Sequence, residues 1–195
     1  MAGMVDRKDL VDRKDFSDMV REMGAVDEKR EQSIALSREI IKLSKRIIYS
    51  VHRDELGEAK KLLESIKAGV KRLKSIEGCE EGHLRTAMQE YVEAACFYSV
   101  VSSKSLPKRA QLGVAAEHYL LGLCDLSGEL VRRAINSATK GKVDASFFIK
   151  DFLQDLYGEL LQFDFRNGEL RRKFDGIKYD LQKLESLAFE LSRRK

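Results

Sequence analysis

The stretch LLGLCDLSGELVRRAIN, Leu120–Asn136, places two acids, Asp125 and Glu129, one helical turn apart in an otherwise apolar run. A second stretch, MQEYVEAACF at Met88–Phe97, holds two glutamates three residues apart. Residues at these spacings share a helix face, so each pair projects as a unit. Because an isolated ionised carboxylate is costly to bury, the pattern predicts two facing helices with a divalent cation between their acids.

The rest of the chain predicts further helices and no strands. Apolar residues recur at helical spacing, a single proline is present, and no segment alternates with period two. We therefore expect an all-α fold, a single-domain bundle of about six to seven helices, formed by residues 26–195 and preceded by an N-terminal helical arm at residues 1–25. The predicted long helices start at Asp27 and cover about 55–76, 81–102, 114–138, 144–163 (capped by Asp144 or Ser146) and 169–194.

Composition limits the class of protein. The chain has 195 residues, of which 43% are hydrophobic and 35% charged, with a net charge of +4. This is enough for one domain with a sizeable core, and the mild positive charge alone does not establish a nucleic-acid partner. Cys79, Cys96 and Cys124 show no CxxC spacing, which favours a reducing compartment. The sequence predicts neither a signal peptide nor a membrane-spanning run, and we therefore expect a soluble, cytoplasmic protein that binds no membrane.

Four carboxylates suit a hard cation. Mg²⁺ and Mn²⁺ prefer carboxylate oxygens and keep several waters. In this hypothesis Glu90, Glu93 and Asp125 are direct or water-mediated ligands, and Glu129 is a ligand or positions the attacking water. Such a metal lowers the pKa of a bound water and stabilises the charge that develops on a phosphodiester. Whether the site binds one metal ion or two remains open.

Two other interpretations compete with a magnesium site. In the first, Glu90 and Glu129 lie at a helix edge and only form ion pairs with Arg85 or Arg133. In the second, the acids belong to a di-iron site, which requires an ExxH motif on each of two helices. The chain has one ExxH, at Glu80–His83, beside a glycine and without a second copy. The di-iron interpretation is therefore the weakest.

Three stretches in this order resemble the translin family: QEYVEA at Gln89–Ala94, HYLLGLCDLSGELVRRAIN at His118–Asn136, and LRRKFDGIKYDLQKLESLAFEL at Leu170–Leu191. The similarity runs from about Asp27 to the end of the chain. A single such motif is weak, but three in the right order and spacing are specific.

The resemblance implies all-helical subunits of closed, roughly barrel-like oligomers that bind single-stranded RNA and DNA. In the family's translin-associated factor X branch, it implies a Mg²⁺-dependent endoribonuclease whose acids match Glu90, Glu93, Asp125 and Glu129. The DGIKYD segment at 175–180 is more similar to translin itself. We expect an undivided member of the family that forms a homo-oligomer, an octamer-like closed particle, with a second translin-family subunit as an alternative partner.

Nucleic-acid contacts are also predicted. The resemblance assigns them to His83 and Arg85, just before QEYVEA, while Arg132 and Arg133 lie three and four residues after Glu129. Contacts of this kind to the RNA backbone give an affinity that falls with salt. Three hypotheses follow: a metal-dependent endoribonuclease, a non-catalytic binder of single-stranded RNA or DNA, and a helical scaffold that needs a partner subunit for both activities.

Overall fold

The structure, a computed structural model, describes residues 12–76 and 81–193. These residues form seven helices and no strand, which confirms the predicted all-α class. The helices are α1 (Arg13–His52), α2 (Leu56–Lys74), α3 (Glu81–Ser103), α4 (Arg109–Leu112), α5 (Ala116–Thr139), α6 (Val143–Leu160) and α7 (Glu169–Ser192).

The first helix begins earlier than predicted. Asp12 caps it by accepting hydrogen bonds from the backbone N–H groups of Lys14 and Asp15, and the helix continues for 40 residues. The predicted start at Asp27 is therefore wrong. Side chains from 12 to 32 are all exposed, so this part has no core face to mark it as helical, but it contains no helix breaker stronger than one glycine. The first VDRKD copy lies outside the described residues.

The other boundaries lie close to those predicted, with two differences. The segment before α5 contains the short α4, which ends at Gly113 in the left-handed region (φ 64°). The predicted capping of α6 by Asp144 or Ser146 is wrong, because the helix already begins at Val143. The Ser146 hydroxyl instead donates to the Ala134 carbonyl and ties α6 to α5. Gly141 (φ 74°) follows the end of α5, as expected for a C-terminal stop.

Helices α3 and α5 lie at the centre of the bundle. Helix α1 packs against α2 and α3, α3 packs against α5, and α5 packs against α6 and α7. Their shared core buries large side chains almost completely: Ile40, Ile47, Ile66, Leu73, Met88, Phe97, Leu126, Leu130, Leu153, Leu160 and Ile177. Cys96 and Cys124 are buried and free, as expected, and Cys79 lies outside the described residues. Within residues 12–76 and 81–193, no helix has the length and apolar character needed to cross a membrane. The cytoplasmic location stays a prediction.

Candidate active site between α3 and α5

A glycine sets the distance between the two acid-bearing helices. Gly122 on α5 faces α3 so closely that a Cβ atom built on it would lie 2.6 Å from the Val92 side chain and 2.8 Å from the Gln89 carbonyl oxygen. No larger residue fits there without moving one of the helices. This contact lies about one helical turn from Asp125, so the close approach brings the carboxylates of α5 up to those of α3.

Three of the four predicted acids line one cavity. Glu90 and Glu93 from α3 and Glu129 from α5 border a space of about 340 Å³, together with Lys45, Ile48, Tyr49 and Arg132. Asp125 lies one turn before Glu129 on the same helix. The two pairs predicted to face each other therefore do so, with basic side chains on the rim.

Burial and neighbouring charges shift the pKa values of the glutamates on α3. Burial, followed by the negative charges of Asp125, Glu90 and Glu129, raises the pKa of Glu93 to about 8 from its ordinary 4.5. Burial is also the main cause that raises the pKa of Glu90, and Lys45 opposes that change. A partly buried site that gathers several carboxylates favours a bound cation.

Basic and polar side chains hold the two α5 acids. Lys173 on α7 places its Nζ 2.5 Å from Asp125 Oδ1, and the Gln89 side-chain amide donates to Asp125 Oδ2. His52, at the end of α1 and buried against Phe97, is hydrogen-bonded through Nε2 to Glu129 Oε2. This bond is the largest cause that lowers the pKa of Glu129. Both acids of α5 are thus oriented by neighbours from other helices.

The donor set is chemically suited to a hard divalent cation, since all four groups offer carboxylate oxygens. In the present arrangement, however, no group of three His, Cys, Asp or Glu side chains among the described residues is gathered closely enough to hold a metal ion. Asp125 engages Lys173 and Glu129 engages His52. Metal binding would require these carboxylates to share or exchange their present partners.

The predicted nucleic-acid residues occupy different environments. Arg132 is exposed on the cavity rim, with Nη1 3.7 Å from Glu129 Oε2. Arg133 instead donates to the backbone carbonyls of Val51 and His52 and pairs with Asp54, which fixes the end of α1 to α5. This side chain is only 11% exposed, which leaves little of it for RNA.

The other predicted pair lies on α3. The Arg85 guanidinium contacts Glu117 at 3.0 Å and Glu169 at 3.2 Å, and so ties α3 to the first turns of α5 and α7. His83 is half-buried two residues earlier. Arg85 and Arg133 therefore pair with acids other than Glu90 and Glu129. The alternative in which these arginines neutralise Glu90 and Glu129 is wrong for the described residues.

A second cavity continues from the acids along α1. It has a volume of about 560 Å³ and shares Lys45 and Tyr49 with the acid cavity. Its lining is Arg38, Ile41, Lys42, Lys45, Arg46, Tyr49 and Ser50. We call this surface the α1 groove.

A family model described as Translin family matches residues 28–195. The chain belongs to the Translin family. Similar proteins include an uncharacterized protein of Methanocaldococcus jannaschii, 32% identical over 163 residues that cover 80% of this chain and 73% of the relative. They also include the translin-associated protein X of Mus musculus, 28% identical and covering 92% of this chain and 78% of the relative. The predicted resemblance is thereby confirmed.

Solved structures share the fold. Apo-NeC3PO is 29% identical with a TM-score of 0.83, over 89% of this chain and 95% of that one. The AfC3PO structure, described as a duplex RNA complex, is 22% identical with a TM-score of 0.82, over 92% of this chain and 98% of that one. Both likenesses place this translin-family chain in the same helical architecture.

Several site residues were not predicted from the sequence. Lys173 and His52 contact the acids from α7 and α1, and Lys45 and Tyr49 line their cavity. None has a fixed spacing to the acids, so no motif indicates them. Gln89 is the exception, because it opens the QEYVEA motif and lies one residue before Glu90.

Proposed function

We propose that this chain is a metal-dependent endoribonuclease that binds RNA in single-stranded or unpaired form and cuts it beside Glu90, Glu93, Asp125 and Glu129. The observation that carries the proposal is the shared cavity, where acids of α3 and α5 meet under a basic rim. Membership of the Translin family and a relative named translin-associated protein X support it. The AfC3PO complex with duplex RNA supports RNA as the class of ligand.

In this proposal Mg²⁺ or Mn²⁺ would be held by Glu90, Glu93 and Asp125, with Glu129 as a further ligand or as the residue that orients water. The ion would supply a water of lowered pKa and a counter-charge for the phosphodiester. His52 keeps the Glu129 carboxylate ionised and oriented through their hydrogen bond. Lys45 and Arg132, on the cavity rim, offset the negative charge of the acids where a phosphate would approach.

A specific observation favours a second function, non-catalytic binding of single-stranded RNA or DNA. Lys173 pairs with Asp125 and His52 is hydrogen-bonded to Glu129, so both acids of α5 have protein partners without a metal. If these contacts persist when RNA binds, the carboxylates act as structural anchors between α1, α5 and α7. This function predicts binding with no cleavage.

We also propose a homo-oligomer, an octamer-like closed particle, with a translin-family partner subunit as the alternative. Large apolar side chains are exposed at the end of α6 and along α7, namely Leu161, Phe163, Tyr179 and Phe189. Exposed apolar surface of this kind is typical of subunit interfaces. Light scattering of the purified protein is expected to give a mass of several subunits, whereas a monomer at micromolar concentration would contradict the assembly.

Cleavage of end-labelled RNA tests the proposed function. Purified protein is incubated with a single strand and with a duplex, in Mg²⁺, in Mn²⁺ and in chelator. Glu129→Ala is compared with Glu185→Gln, which alters an exposed glutamate of α7. We expect cleavage with either metal, none in chelator, loss in Glu129→Ala and retention in Glu185→Gln. Equal binding with no cleavage by any of the three proteins would favour the second function.

A further inference from the structure

The α1 groove combines a basic wall with an opening to the acids. Arg38, Lys42, Lys45 and Tyr49 lie three or four residues apart and therefore share one face of α1. Between Arg38 and Tyr49 the helix rises about 16 Å along its axis. The groove meets the acid cavity at Lys45 and Tyr49, which line both spaces. A chain lying in the groove would therefore lead directly to the carboxylates.

The charge of the groove suits a polyanion. Among the residues that the structure describes, four basic side chains line the groove and no acid does. One of these side chains, Arg46, forms an ion pair with Glu58. This ion pair is weak, because the two groups lie 3.8 Å apart and both side chains are about half exposed. Lys45 also acts on the acid site, because its charge opposes the rise in the pKa of Glu90.

Tyr49 adds a feature that a plain basic helix face lacks. Tyr49 is 58% exposed although it is a large hydrophobic residue, and it lies where the groove joins the acid cavity. The Arg53 guanidinium lies 5.7 Å from the ring centroid. Exposed aromatic rings beside cationic side chains are the surfaces on which unpaired bases stack.

We propose that the α1 groove binds the single-stranded RNA segment adjacent to the cleaved bond. Lys42, Lys45 and Arg46 contact its phosphates, and Tyr49 stacks on the base nearest the acids. This inference rests on the proposed function and adds the position and the class of the substrate segment. Stacking on Tyr49 requires an unstacked base, so the groove selects unpaired RNA over continuous duplex. It does not select a sequence, because every base has a face that stacks.

Binding of a fluorescent single-stranded oligonucleotide in chelator, followed by anisotropy over a range of salt concentrations, tests the groove. The variants are Tyr49→Ala, Tyr49→Phe and Lys42→Gln. Lys60→Gln is the matched control, since Lys60 is an exposed lysine of α2 that lines neither cavity. Circular dichroism melting of each variant confirms that it folds, as expected for exposed positions.

The two kinds of contact give different results. Tyr49→Ala is expected to weaken binding roughly 5- to 100-fold with an unchanged salt slope, and Tyr49→Phe to bind like the original protein. Lys42→Gln is expected to reduce the slope of log affinity against log salt by roughly 0.7, the value for one phosphate contact on a single strand. Lys60→Gln is expected to change neither quantity.

Failure of the groove and failure of the proposed function are distinguishable. If the original protein binds and cleaves RNA while Tyr49→Ala and Lys42→Gln behave like Lys60→Gln, the groove is wrong and the nuclease stands. If the original protein neither binds nor cleaves single-stranded RNA, both proposals are overturned. If the original protein binds a duplex as tightly as the single strand of the same sequence, the selection of unpaired RNA is refuted.

Discussion

Replacing Glu93 by glutamine is expected to stabilise the metal-free protein at alkaline pH and to leave it unchanged at acid pH. Burial and three neighbouring carboxylates raise the pKa of Glu93 to about 8, from 4.5. The folded protein therefore binds a proton that the unfolded chain releases between these two values. Stability that is present below pH 4.5 is lost as the pH rises through about 8. A glutamine resembles the protonated acid and has no such loss.

The magnitude follows from the two pKa values. The interval between about 8 and 4.5, at about 1.36 kcal/mol for each pKa unit, sets an upper limit of ~5 kcal/mol. Water reaches the site through the adjoining cavity, so we expect about half, on the order of 2–3 kcal/mol. For a chain of this length that corresponds to a rise in melting temperature of roughly 4–12 °C.

Thermal melting in chelator at pH 5 and at pH 8.5 measures this effect. The Glu93→Gln variant is compared with the original protein and with Glu185→Gln, which removes an exposed acid. We expect the difference between Glu93→Gln and the original protein to be large at pH 8.5 and small at pH 5, where the loss of stability has only begun. If the three proteins lose stability in parallel between these pH values, Glu93 does not lie in the electrostatic environment described, and the converging carboxylates are refuted.

Three further predictions follow from the contacts. Gly122→Ala is expected to destabilise the protein by about 1–3 kcal/mol and to impair the acid site, while Gly128→Ala, with open space around it, is neutral or slightly stabilising in denaturant melts. Arg133→Gln is expected to lower stability by about 1–3 kcal/mol because it removes the hydrogen bonds to the Val51 and His52 carbonyls and the ion pair with Asp54, as melting would show. Arg132→Gln is expected to weaken RNA binding in anisotropy without loss of stability. Removing residues 1–27 is expected to leave the melting temperature unchanged, since residues 12–27 are exposed and the family match begins at 28; a fall of more than a few degrees would contradict this.

The amino-acid sequence contains most of the information on the acids and less on their neighbours. The sequence indicates the four acids because the two acids of each pair lie three or four residues apart within an apolar run. Such a run must be buried against another helix. Their partners come from helices distant in sequence. Such contacts are fixed by tertiary packing, which no local spacing encodes.

Sequence spacing also fails to identify a residue's role when two different roles produce the same spacing. An arginine that follows an acid on a helix has the same spacing whether it contacts RNA or another helix, and only the structure separates Arg132 on the cavity rim from Arg133 at the end of α1. The start of α1 is also not predictable from local rules. Its first turns have good helix formers and a cap at Asp12, but no buried face to reveal the period.

Single-turnover cleavage of RNA by the Asp125→Asn variant tests whether the four carboxylates form a nuclease site. With saturating Mn²⁺ we expect the cleavage rate to stay at least about 100-fold below that of the original protein, since the metal supplies several kcal/mol of transition-state stabilisation. The affinity for RNA in chelator is expected to stay within a few fold. A cleavage rate within about twofold of the original protein would contradict the claim that these carboxylates form the nuclease site.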